Sequence, residues 1–168
     1  YHKMNKKDFA NKSFITQNSK ATQDLGRNLG KVLKKGDVVC LYGDLGSGKT
    51  TFVRGLAEGL GVKQRIISPT FIIVRCYEFQ TQNSKLKTQN HNSKLKSLEQ
   101  FYHIDLYRTE SERDLEGLGI EEIINNKNNI VAIEWADKLK SFSPEKRIDI
   151  EFSYEKVNTR KIRFSLTT

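Results

Sequence analysis

The chain has 168 residues, enough for one domain with a core of its own. Hydrophobic residues make up 36% and charged residues 29%, a polar balance that still lies outside the disordered range. The net charge of +9 invites a nucleic-acid reading, but residues 1–12 and 80–100 each carry a net +3, so two thirds of the excess lies outside the expected core. It reads as a basic N-terminal tail at about 1–12 and a polar insert at about 80–100, solvated rather than forming a groove, with at most weak contact to RNA.

No apolar run approaches bilayer length, and Tyr1 to Asn18 has no apolar signal-peptide centre, so a cytoplasmic protein is expected. Cys40 and Cys76 are too few for a disulfide framework or a Cys-x-x-Cys site, consistent with a reducing compartment. The first methionine is Met4, which leaves a start there or a trimmed terminus as two readings.

In chain order, Lys12 to Thr16 reads as a short edge strand. A helix follows from Thr22 to Leu33, with Leu25, Leu29, Val32 and Leu33 at helical spacing and Thr22 or Ser19 as its N-cap. Gly36-Asp37 turns the chain into a buried strand, Asp37 to Tyr42. Next comes Gly43-Asp44-Leu45-Gly46-Ser47-Gly48-Lys49-Thr50, which fits the phosphate-cradling pattern G-x-x-x-x-G-K-[ST]. A helix from Thr51 to Leu60, stopped by Gly59 and Gly61, completes the strand–turn–helix context that the motif requires. The glycines open a backbone path that aims successive N–H groups at phosphate oxygens. Lys49 reaches the β- and γ-phosphates, and the Thr50 hydroxyl is placed to ligate Mg²⁺. The cofactor-binding set is therefore Gly43 to Thr50, with Thr51.

Pro69 makes Ser68–Thr70 a loop before a strand from Phe71 to about Phe79, which pairs as a hairpin with Phe101 to Tyr107. Between them Asn-Ser-Lys-Leu-Lys occurs at 83–87 and again at 92–96. A repeat this short and polar buries no core, so it reads as a flexible hairpin tip. Short helices are expected over Ser111–Leu118 and Ile120–Asn125, then a buried strand Ile130–Ile133 carrying Glu134 and Trp135. Ile148, Ile150, Phe152 and Tyr154, followed by Ile162, Phe164 and Leu166, alternate as a closing hairpin that turns near Lys156–Asn158.

A phosphate loop needs a carboxylate at the end of a neighbouring strand to place the metal and the attacking water. Glu134 and Asp105 are the two candidates. Thr70 sits where a switch loop can reach γ-phosphate or metal, against a plain turn residue as its other reading, and with Glu134 and Asp105 it makes the candidate catalytic set. His103 shares a strand face with Asp105 and reads as a packed or capping imidazole. Three other functions remain on the page. A small-molecule or nucleotide kinase would need an Arg lid, for which Arg108 and Arg113 are available. A GTPase would need Asn-Lys-x-Asp, whereas Asn126-Lys127-Asn128-Asn129 lacks the aspartate. The third is a sensor that binds nucleotide without hydrolysing it.

Gly-Asp-Leu-Gly-Ser-Gly-Lys-Thr-Thr-Phe-Val-Arg-Gly-Leu (43–56), Ser-Pro-Thr-Phe (68–71), His-Ile-Asp-Leu-Tyr-Arg (103–108) and Ile-Glu-Trp (133–135) together resemble the TsaE (YjeE) family. The resemblance covers the chain from about Thr22 to the closing hairpin. It implies an α/β fold, a P-loop NTPase-like three-layer sandwich with a mixed central sheet and a C-terminal β-hairpin. It implies a Mg²⁺-dependent ATPase required for threonylcarbamoyl modification of adenosine 37 in tRNAs that read codons starting with A. The partner implied is the TsaB–TsaD complex, which carries the transfer itself, with tRNA met indirectly or weakly. By the same resemblance Asp105 stands for the acid of a Walker-B-like strand, Glu134 for the acid beside the metal, and Trp135 for the aromatic next to it. Ala136 departs from the usual proline, which implies a looser loop there.

Replacing Thr81–Glu99 by an Asn-Gly turn should leave ATPase activity and melting temperature nearly unchanged, since loop shortening on this scale is worth only about 2 kcal/mol, in the favourable direction. Loss of soluble folding on deletion would show that the segment packs on the core.

Overall fold

The computed structural model describes residues 4–80 and 98–167. Its strands are β1 (Ser13–Thr16), β2 (Val38–Tyr42), β3 (Val74–Phe79), β4 (Glu99–Asp105), β5 (Asn129–Glu134), β6 (Arg147–Lys156) and β7 (Thr159–Thr167). Its helices are α1 (Ser19–Gly30), α2 (Lys49–Leu60), α3 (Glu112–Gly117) and α4 (Ile120–Asn125). The strands make one sheet in the order β1-β7-β6-β2-β5-β4-β3. β6, β2, β5 and β4 run parallel, while β1, β7 and β3 pair antiparallel. This is the expected α/β architecture with its mixed sheet and closing hairpin.

β2 lies at the centre of the sheet, and its near-continuous apolar sequence is what a strand covered on both faces requires. Val39 and Leu41 pack with Leu25 and Leu29 of α1 and Phe52, Val53 and Leu56 of α2. Val38 and Cys40 face the other layer, with Leu115, Ile120, Ile124 and Leu139. Burial pushes the Cys40 thiol up to about 12, so it behaves as a small apolar side chain.

Several local expectations are corrected. α1 starts a turn before Thr22, because the Asn18 side chain, rather than that of Thr22 or Ser19, accepts the Ala21 N–H at 2.8 Å. The Thr22 hydroxyl instead meets that of Thr16 at 2.8 Å and ties α1 to β1. Gly59 lies inside α2, and Gly61, at φ +97°, is the true C-cap. β3 begins at Val74 rather than Phe71, because the amides of Ile72 and Ile73 both turn back to the Pro69 carbonyl. β4 runs from Glu99 to Asp105, so the replaceable connection ends before Glu99.

Residues 4–12 are not a tail. Asn5 caps a 3-10 turn at Lys6–Asp8, Lys6 pairs with Asp37 at 2.7 Å, and Phe9 is fully buried against Phe14 and Phe164. Phe9 and the Lys6–Asp37 pair together hold the basic segment on the core. Residues 1–3 and 81–97, which hold the rest of the expected tail and nearly all of the expected flexible insert, lie outside the described residues.

α1 and α2 touch backbone to backbone along a seam of glycines. A Cβ on Gly26, Gly30, Gly55 or Gly59 would run into carbonyl oxygens of the facing helix. Gly55→Ala should therefore lower the melting temperature by several degrees, since overpacking costs about 1–3 kcal/mol. Gly117→Ala, with nothing within 4 Å of the new methyl, should be neutral or slightly stabilising. Thermal melts of the two variants check the contrast.

Candidate functional site

The turn from β2 into α2 is built on three left-handed glycines, Gly43 (φ +141°), Gly46 (φ +76°) and Gly48 (φ +105°). Gly48 caps α2 without a side-chain bond, so the first-turn amides stay open, an anion-binding arrangement. Lys49, the first residue of α2, is buried and folds back over the loop. Its Nζ donates to the carbonyls of Gly43 and Asp44, the latter at 2.8 Å, and lies 4.4 Å from the centre of the Trp135 ring. Burial lowers the Lys49 pKa, against the opposing pull of Glu134, Asp105, Asp44 and Asp137. At the crown of the loop Leu45 is exposed, and its carbonyl accepts the Tyr154 hydroxyl at 2.9 Å, so β6 braces the turn.

The carboxylates arrive from the neighbouring strands. Parallel pairing sets Leu41 beside Glu134 and Glu134 beside Asp105, all at the C-terminal end of the sheet. Neither acid is an ordinary carboxylate in water: Glu134 is 2% and Asp105 3% exposed. Glu134 Oε2 accepts the Thr50 hydroxyl at 2.9 Å, and Oε1 meets His103 Nε2 at 2.8 Å. Asp105 Oδ2 accepts the Thr70 hydroxyl at 2.6 Å, and Oδ1 accepts the Tyr107 N–H at 3.0 Å. Of the residues expected from sequence, Lys49, Thr50 and Glu134 thus gather at the loop, and Thr70 is held on Asp105. The Thr70 loop ends at Ile73, whose φ of +67° is a strained conformation for a β-branched side chain.

Thr50 and Glu134 offer hard oxygen donors, the chemistry Mg²⁺ prefers. Among the described residues no cluster of three or more His, Cys, Asp or Glu forms a protein-only metal cage. The donor set therefore fits an ion that takes its remaining ligands from phosphate and water.

A cleft of about 230 Å³ opens beside the loop, lined by Gln17, Asn18, Thr22, Gly48, Thr51 and Arg160 among others. Asn126–Asn129 leads into the N-terminal end of β5, so it lies at the opposite end of that strand from Glu134 and could not read a base there. Ala136 is buried and opens a 3-10 segment, Ala136–Phe142, so the chain after Trp135 is not the loose loop expected.

Three contacts escaped the sequence reading: His103 on Glu134, Trp135 over Lys49, and Tyr154 on Leu45. Strand alternation does place His103 on the face of Asp105. Only the pairing of β4 with β5 shows that the same face carries Glu134.

Residues 16–162 match the family described as threonylcarbamoyl adenosine biosynthesis protein TsaE. The chain is 34% identical to the tRNA threonylcarbamoyladenosine biosynthesis protein TsaE of Bacillus subtilis, over 89% of this chain and 82% of that one. It is 32% identical to the Treponema pallidum protein of the same name, over 81% and 87%. Among solved structures it is similar to Bacillus subtilis YdiB, with a TM-score of 0.68 and 28% identity over 94% of this chain and 86% of that one.

Lys49→Ala should weaken nucleotide binding about ten- to a hundredfold, the loss of a charge-assisted phosphate contact worth about 1.5–3 kcal/mol, while leaving the fold intact. Calorimetric titration with ATP, alongside a thermal melt, checks both halves.

Proposed function

Because the chain belongs to the TsaE family of tRNA threonylcarbamoyladenosine biosynthesis proteins, we propose that it is the Mg²⁺-dependent ATP-binding and ATP-hydrolysing subunit of that process. In this reading residues 1–168 form a single P-loop ATPase domain in the cytoplasm. It works on a TsaB–TsaD complex that carries the transfer, and meets tRNA only indirectly or weakly. Among the described residues no helix is long and apolar enough to cross a membrane.

The observation that carries the reading is the Thr50–Glu134 contact, which joins the phosphate loop to the acid of the next parallel strand. The open first-turn amides of α2, Lys49 to Thr51, take the phosphate oxygens. Lys49 leaves the weaker carbonyl partners of its own loop for the β- and γ-phosphates, a stronger charge-assisted contact. The cleft beside Gly48 receives the nucleoside. Thr50 and Glu134 would hold Mg²⁺, which supplies neutralisation of charge on the phosphate oxygens. Asp105 and Thr70 orient the attacking water.

Turnover by the isolated protein is slow in this account, because Thr70 hangs on a strained loop whose order depends on a partner. Docking on TsaB–TsaD fixes that loop and accelerates hydrolysis.

Phosphate release should therefore be weak alone and clearly stimulated by a TsaB–TsaD pair. Glu134→Ala and Asp105→Ala should each lose the stimulated rate by about a hundredfold or more while still binding ATP. A wild-type protein fully active alone and indifferent to the pair would overturn the proposal and bring the kinase reading forward. A silent Asp105→Ala would leave the metal chemistry to Glu134.

A further inference from the structure

Building on the proposed role of Glu134, we infer that His103 is the positioning residue that fixes the Glu134 carboxylate for metal binding. His103 has no solvent exposure, and its Nε2 lies 2.8 Å from Glu134 Oε1. Its other ring nitrogen, Nδ1, is buried without any hydrogen-bond partner. The ring therefore makes one polar contact, and that contact is to the acid. An ionised carboxylate only accepts, so Nε2 is the donor in this contact.

An orphaned buried nitrogen costs stability, and an apolar side chain at this point of the strand would avoid that cost. A packing role alone accounts for neither the imidazole nor its aim. The strand pairing explains the aim. His103 stands directly beside Ala132 on β5, and Glu134 is two residues further along the same face. The small Ala132 side chain leaves the ring free to lean across the diagonal to the carboxylate. On its other side His103 pairs with Arg75 of β3, whose Nε is likewise buried without a partner.

Glu134 has three side-chain torsions, and the backbone of β5 fixes none of them. His103 holds Oε1 and the Thr50 hydroxyl meets Oε2, so together they clamp the carboxylate plane. Freed of His103, the carboxylate would pivot about its single contact to Thr50. Partners of this kind behind a ligating group are typically worth about ten- to a hundredfold in metal affinity.

The test compares His103→Gln, whose amide nitrogen falls near the place of Nε2, with His103→Asn and His103→Leu, which cannot reach Glu134 with a donor. Mn²⁺ is titrated into the ADP complex and free Mn²⁺ is read by electron paramagnetic resonance. ADP affinity in EDTA is measured by calorimetry, and Glu134→Gln is carried alongside. His103→Asn and His103→Leu should weaken Mn²⁺ about ten- to a hundredfold, with ADP affinity in EDTA unchanged and His103→Gln close to wild type. Either of the two non-reaching variants suffices if the other fails to fold. Equal Mn²⁺ affinity for the Gln variant and a non-reaching one overturns the inference, as does a parallel fall in ADP affinity in EDTA. If Glu134→Gln loses Mn²⁺ while the non-reaching variants keep it, His103 alone is misassigned. If Glu134→Gln binds Mn²⁺ as the wild type does, the metal role of Glu134 fails and this inference falls with it.

Discussion

The site depends on the register of three parallel strands. β2 aligns Leu41 with Glu134 on β5, and β5 aligns Glu134 with Asp105 on β4. Strand side chains alternate between faces, so a slip of one residue would send Glu134 into the layer where Ile133 packs with Leu115 and Leu139. The apolar residues on either side forbid that slip. Val131 and Ile133 belong to one layer, Ile130 and Ala132 to the other, and each layer has its own helices. The chemistry is held in place by the core beneath it.

Placing charges in such a setting is costly unless each has a partner, and Lys49, Glu134 and Asp105 each have one. Lys49 lies on loop carbonyls and the Trp135 face, Thr50 on Glu134, and Thr70 on Asp105. Thr50–Glu134 ties the loop to the end of β5, and Thr70–Asp105 ties the Ser68–Ile73 segment to the end of β4. The segment that carries Thr70 ends on the strained backbone of Ile73.

The turn from β2 into α2 was legible because its geometry demands glycines where φ is positive. The two acids were legible as strand-end residues, and their pairing was not, because register is a long-range property. The stretch at Phe71–Ile73 misled for a physical reason. Its bulky and β-branched side chains favour a strand, yet the Pro69 carbonyl captures the amides a strand would need. Phe9 misled in the opposite sense, a lone aromatic among lysines with no periodicity to announce a core position. Asn18 has no signal in the sequence as a cap, because the apolar spacing of α1 begins only at Leu25, well after the helix does.

The hairpin of β3 and β4 bears on how this protein can diverge. β3 ends at Phe79 and β4 begins at Glu99, cross-strand partners at one end of the sheet, while β4 delivers Asp105 at the other. A strand of this length separates those ends by about 20 Å. The Phe79–Glu99 junction therefore lies at the end of β4 remote from His103 and Asp105, whose register is set by the pairing of β4 with β5. A change of length at that junction is separated from the strand-end acids by the whole of β4.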